Sequence, residues 1–276
     1  MTATCTLIDG FKCYAPEVAL GTSADYPPEH HDRLFDLEEA HFWFRARNRI
    51  VQGLVRRYLG NRPARFLELG VGTGYMLAGL SRFSNLELVG AELYVNALKY
   101  ARQRLPRVEF IQLDAVRMPF ENEFDAVGAF DTLEHIEEDA RVIRNVGRAL
   151  KPGGRFFITV PQHPWLWSTQ DDAAFHKRRY TRRGLCEKLR NAGFEIDYTG
   201  SFICALFPLL VASRRRMKPQ ASQEPAEYNW KELQLHPWIN AVSGALTRLD
   251  EWMIRLGLRV PFGGTLVAVA RKPEGA

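Results

Sequence analysis

From residue 65 onward the chain repeats one pattern: a short, nearly unbroken apolar run, a turn, and then a stretch with apolar residues at helical spacing. The runs Arg65–Leu69, Glu87–Ala91, Val108–Leu113, Phe124–Phe130, Phe156–Val160, Phe194–Thr199 and Thr265–Ala270 read as strands. Between them, Tyr75–Phe83, Asn96–Arg104, Glu137–Leu150 and Arg182–Ala192 read as helices. Thr181 is placed to cap the last of these, and Lys151-Pro152-Gly153-Gly154 to end the third, because proline cannot continue a helix and glycine accepts positive φ. Such alternation predicts an α/β fold with a parallel sheet covered on both faces. Ligands of these sheets bind beyond the carboxyl ends of the strands.

Two segments lie outside the pattern. Residues 1–64 hold a polar stretch and a helix around His41–Tyr58. Residues 202–263 form an insertion with an apolar run (Phe202–Ala212), a polar linker and a helix from Trp238 to Leu256. The expected division is a 1–64 segment with a lid helix, a 65–201 core, a 202–263 helical insertion and a 264–276 last strand and tail. The apolar run is too short to cross a bilayer, which takes roughly 20 residues. It reads as a buried lid or, over 202–218, as a membrane-surface element with aliphatics in lipid and arginines at headgroups.

With 46% hydrophobic and 25% charged residues, the composition excludes disorder and a disulfide-stapled miniprotein. The net charge of +5 is local. It comes from Lys177, Arg178, Arg179, Arg182 and Arg183, and from Arg214, Arg215, Arg216 and Lys218; the rest of the chain is net acidic. The first cluster suits either steering of an anionic acceptor or a solvated loop. Cys5, Cys13, Cys186 and Cys204 form no CxxC pair, so reduced thiols and no metal site are expected. The N-terminus shows no leader pattern, which points to a cytoplasmic protein.

The chemistry-bearing residues follow the strands. After the first comes Glu68-Leu69-Gly70-Val71-Gly72-Thr73-Gly74, whose glycines allow a sharp turn and close approach of a ligand to the backbone. A dinucleotide fingerprint needs Gly or Ala three residues after its second glycine, and here Tyr75 stands there. Glu92 closes the second strand, twenty-two residues after Gly70, where a carboxylate can accept both ribose hydroxyls. Asp114-Ala115 closes the third.

These pieces, with Phe124–Ile136 (FDAVGAFDTLEHI) and Leu150–Gly154 (LKPGG), resemble the small-molecule branch of the class I S-adenosylmethionine-dependent methyltransferases over about residues 40–200 and again at the last strand. The resemblance implies a Rossmann-like, doubly wound sheet of seven strands with the last antiparallel. It implies S-adenosylmethionine as cofactor, held by Glu68, Gly70, Gly72, Thr73, Gly74, Glu92 and Leu93, with Asp114 and Ala115 at the adenine. Phe130 suits the apolar face of adenosine. His41–Asn48 (HFWFRARN) is either core packing with a solvated face or a lid helix whose Arg45 or Arg47 pairs the methionine carboxylate.

Methyl transfer needs alignment and, for a hydroxyl or ammonium acceptor, a proton acceptor. The candidates are His135, His163, His176 and Tyr180, with Asp131 nearby in sequence; His163, among Pro161, Pro164, Trp165 and Trp167, also reads as a pocket wall. The expected activity is methylation of oxygen or nitrogen on a small molecule: a metabolite, sugar or lipid-linked precursor. Nucleic-acid methylation is less favoured, since Phe130-Asp131-Thr132-Leu133 lacks the Asn/Asp-Pro-Pro-aromatic motif of base methylation. A non-catalytic, cofactor-binding regulatory partner is the third reading.

Overall fold

The computed structural model describes residues 5–21, 28–216 and 234–275. One mixed sheet of nine strands runs through it, in the order β1-β2-β5-β4-β3-β6-β7-β9-β8. The strands are β1 (Thr6–Ile8), β2 (Phe11–Cys13), β3 (Ala64–Leu69), β4 (Leu86–Glu92), β5 (Glu109–Gln112), β6 (Phe124–Phe130), β7 (Leu150–Pro161), β8 (Glu195–Phe202) and β9 (Thr265–Arg271). β2 through β7 pair in parallel, and β9 enters antiparallel between β7 and β8.

The seven expected strands are present, with the last antiparallel. The count is nine because β1 and β2 form a hairpin that docks in parallel on β5. Asp9 and Gly10, both at positive φ, make its turn. An Asp-Gly pair between short apolar runs is a hairpin signal, so this correction was readable from Ile8-Asp9-Gly10-Phe11.

Helices cover both faces. On one lie α3 (Phe42–Leu59), α4 (Tyr75–Leu80) and α5 (Val95–Arg104); on the other, α6 (Asp139–Ala149) and α8 (Arg182–Asn191). Adjacent strand residues serve opposite cores: Phe66 packs under α3, Leu67 under α6. α6 buries Val142, Ile143, Val146 and Ala149 on one stripe. Thr181 caps α8 as expected, its hydroxyl accepting from the Gly184 N–H at 3.0 Å. α6 ends one residue before the Leu150–Gly154 turn, which already belongs to β7.

The remaining helices are α1 (Pro16–Ala19), α2 (Pro28–Ala40), the short α7 (Thr169–Ala173), α9 (Phe207–Arg216) and α10 (Pro237–Arg255). The segments before and after the core meet each other. Asn240 of α10 accepts from the Phe42 N–H at 2.8 Å and donates to the Ala40 carbonyl at 2.9 Å. The apolar run does not act as one element: Phe202, Ile203, Cys204 and Leu206 are buried, whereas Leu209 on α9 is 68% exposed. No helix among the described residues is long and apolar enough to cross a membrane. Lys218 and most of the polar linker lie outside the described residues.

Candidate active site

The glycine loop joins β3 to α4, with Gly70, Gly72 and Gly74 all at positive φ. Gly70 is required on a second count: a Cβ there would lie 2.5 Å from the Thr132 side chain. At Gly72 a Cβ would meet nothing within 4 Å, so this stretch of backbone faces open space. Glu92, at the end of β4, accepts from the Gly72 N–H at 3.1 Å and the Leu93 N–H at 2.7 Å. Burial raises its carboxyl above the usual range, and those two N–H groups oppose the rise. Asp114 ends the neighbouring strand and accepts from the Val116 N–H at 2.9 Å, while the Ala115 carbonyl is held by Asn145 at 3.0 Å. Tyr75 does not fill the crevice: it sits against Phe44 and Arg104.

Above the loop lies a feature absent from the sequence reading. Glu38 of α2 is buried, accepts a hydrogen bond from the Thr73 hydroxyl and lies 3.4 Å from Arg104. Below it, Glu68 is wholly buried and its Oε2 has no hydrogen-bond partner. Burial pushes its pKa well above normal despite the charge of Arg47. An orphaned carboxyl oxygen beside an open glycine turn, with a second carboxylate at the adjacent strand end, fits the ammonium and diol of S-adenosylmethionine.

Helix α3 divides the two arginines sharply. Arg45 is exposed. Arg47 is buried, stacks on Trp43 with its guanidinium 4.7 Å from the ring centre, and pairs with Asp131. Asp131, at positive φ just past β6, also accepts from the Thr159 hydroxyl at 3.0 Å. Arg47 thus ties α3 to the sheet through Asp131. Phe130 is buried. It lies in the core, its ring over Gly128 where a Cβ would come within 2.6 Å, and does not face the crevice.

A second cluster of polar side chains is built by the loops after β6 and β7. His176 Nδ1 lies 2.9 Å from Asp171 Oδ1, and the Arg179 Nε lies 2.7 Å from the same oxygen. Burial resists the Asp171 charge, but the hydrogen bond from His176 and the Arg179 charge hold its pKa down to about 2. The His135 ring packs edge-on against His176 at 4.8 Å. Burial, together with repulsion from His176 and Lys177, lowers His135 to about 3, so it is neutral. Between them Glu134 is fully buried, both carboxyl oxygens lacking a partner. Burial and the nearby Asp131 charge raise its pKa far above normal.

Two candidates take other roles. Tyr180 is buried and donates to Asp139 at 2.7 Å; burial and that carboxylate push its phenol far up, so it cannot serve as a base. His163, at positive φ, is wedged between Trp165 and Phe207, 5.3 and 5.2 Å away, and hydrogen-bonds the backbone of Gly263. Its ring is thus held among aromatic side chains. Trp165, Phe207 and Phe262 continue an aromatic rim from three separate segments.

The basic cluster is largely neutralised. Arg178 pairs with Glu137 and Asp139, Arg179 with Asp171, and Arg183 with Glu187, while Arg182 donates to Ser201 and Val260.

Residues 67–158 match a family model described as a methyltransferase domain. A probable S-adenosylmethionine-dependent methyltransferase of Mycolicibacterium smegmatis is 29% identical over 169 residues, covering 59% of this chain and 63% of that protein. A demethylmenaquinone methyltransferase of Chlorobaculum tepidum is 31% identical over 106 residues, covering 38% of this chain and 44% of that protein. The chain thus spans less than two thirds of these relatives. Among solved structures, the [4+2]-cyclase SpnF superposes with a TM-score of 0.58 at 22% identity, over 92% of this chain and 98% of that one, a likeness of fold alone. In its strand order, its glycine loop and the domain match over residues 67–158, the core of the chain is similar to S-adenosylmethionine-dependent methyltransferases.

Proposed function

We propose that the protein transfers the methyl group of S-adenosylmethionine to an oxygen or nitrogen of a small molecule with an apolar body. The observation that carries this reading is what gathers at the carboxyl ends of β3, β4 and β6: a glycine loop at positive φ bonded to Glu92, the orphaned carboxyl of Glu68, and the buried polar group of Glu134, His135 and His176. Glu92 takes the ribose diol, Glu68 the ammonium group, and Arg45, the exposed arginine of the lid, the methionine carboxylate. The cofactor supplies an activated methyl group. The protein's share is alignment, which contributes roughly 7–11 kcal/mol, and management of the acceptor's proton.

That proton is handled at the floor of Glu134, His135 and His176, where Asp171 fixes the His176 ring. The aromatic rim of Trp165, Phe207 and Phe262 supports an acceptor with apolar surface, and the Chlorobaculum relative's name, a demethylmenaquinone methyltransferase, supports a small-molecule one. Nucleic acid is disfavoured because the arginines that would track phosphates are engaged within the fold.

The test is calorimetric titration with S-adenosylmethionine, followed by a methyl-release screen over hydroxylated and aminated apolar compounds. Micromolar binding with turnover supports the reading. Absence of cofactor binding overturns it, and binding without turnover across the panel favours the regulatory alternative.

A further inference from the structure

We propose that Glu134, His135 and His176 hold a divalent transition-metal ion at the acceptor side of the crevice, with Asp171 orienting His176. One ligand atom from each of the three residues lies within 4.8 Å of the others. They come from distant parts of the chain: Glu134 and His135 directly follow β6, and His176 lies beyond α7.

Each residue is prepared for the task. The Glu134 carboxyl is wholly buried with neither oxygen partnered, an arrangement that costs stability unless something positive completes it. The Asp171 carboxylate, bound to Arg179, lies 2.9 Å from His176 Nδ1; with the ring proton on that nitrogen, the Nε2 lone pair is left for an ion. A carboxylate behind an imidazole is the supporting arrangement that fixes ring orientation in metal sites. One ring nitrogen of His135 bonds the backbone of Phe175, leaving the other for an ion.

Two imidazoles and one carboxylate suit manganese, iron, cobalt or zinc better than magnesium or calcium, which prefer all-oxygen sites. Ligands around such an ion stand roughly 3–3.5 Å apart given bond lengths of about 2.1 Å. The side chains close in by about 1–1.5 Å, within reach of small χ rotations.

The ion's role rests on the proposed methyl transfer; its binding does not. Three protein ligands leave positions open for an acceptor hydroxyl, and a bound hydroxyl loses its proton more readily. The proton passes to water. The acceptor oxygen then forms its bond to the methyl carbon as the carbon–sulfur bond breaks, and that electron pair stays on sulfur as a neutral thioether.

The test uses the full chain, stripped with chelator and titrated with cobalt(II) while its visible d–d absorption is read. One cobalt(II) per chain is expected, with affinity at least tenfold weaker in Glu134→Gln and in His176→Asn. Melting temperature and S-adenosylmethionine affinity, measured on the same samples, establish that the variants are folded. Anomalous scattering from cobalt-soaked wild-type crystals gives an answer independent of any variant. Cobalt(II) that binds equally to wild type and both variants, or scatters elsewhere, overturns the site. In that case a loss of turnover in His176→Asn with cofactor affinity intact assigns His176 as a general base. Failure of cofactor binding in the wild type would instead overturn the proposed function and leave the cobalt result standing.

Discussion

The Arg49 Nε lies 2.9 Å from both carboxylate oxygens of Glu251, a residue 202 positions further along the chain. This pair clamps α3 to α10 of the insertion. The two segments outside the repeating core thus form one structure over the sheet. Glu251 is buried and Arg49 mostly so, and removing one partner from such a pair strands the other. Arg49→Ala is expected to lower unfolding free energy by about 2–3 kcal/mol, measured by urea denaturation, with Arg49→Met/Glu251→Leu recovering part of the loss.

In the proposed function the Glu92 carboxylate takes the ribose diol of the cofactor. Its replacement by alanine removes charge-assisted hydrogen bonds worth roughly 1.5–3 kcal/mol. Calorimetry should show at least a tenfold weaker affinity for S-adenosylmethionine.

Gly70 and Gly72 share positive φ yet differ in surroundings. Gly70→Ala combines strain with a clash against Thr132 and is expected to destabilise by about 2–4 kcal/mol. Gly72→Ala carries strain alone, about 1–2 kcal/mol, but places a methyl group where the ligand approaches. Thermal melts should rank Gly70→Ala lower, while Gly72→Ala should lose cofactor affinity with its fold intact.

Tyr180 anchors Asp139 and does no chemistry. Tyr180→Phe should cost about 1–2 kcal/mol in stability, since Arg178 and Lys188 still satisfy Asp139. Its kcat should match wild type in a methyl-release assay.

His41 caps α3, its Nδ1 accepting from the Trp43 N–H at 3.3 Å, and burial lowers its pKa to about 4 from 6.5. Between those values the unfolded chain binds the extra proton, so stability is complete above pH 6.5 and falls as the pH drops toward 4. The loss approaches about 3 kcal/mol at the lower end. His41→Asn keeps a capping side chain without titrating, so melts taken from pH 7 to pH 4.5 should fall less steeply than in wild type.

The sequence by itself determined the core and the glycine turn. Apolar runs at strand length fixed the sheet, and Gly70–Gly74 and Glu92 carry their meaning locally, because a turn of positive φ and a carboxylate at a strand end need no distant partner to be recognised. Asp9-Gly10 was equally legible as a turn, though not as an addition to the sheet edge. What only the tertiary structure decided was which charged and aromatic side chains remain for function. Arg47 and Phe130 look available along the chain, yet one is held by Asp131 and the other by the core. Glu38 and Glu134 look like ordinary surface acids, yet both are buried. Ion pairs and buried polar groups join residues far apart in sequence, so their pairing, and hence the gathering of Glu134, His135 and His176, comes into being only when the loops after β6 and β7 fold against each other.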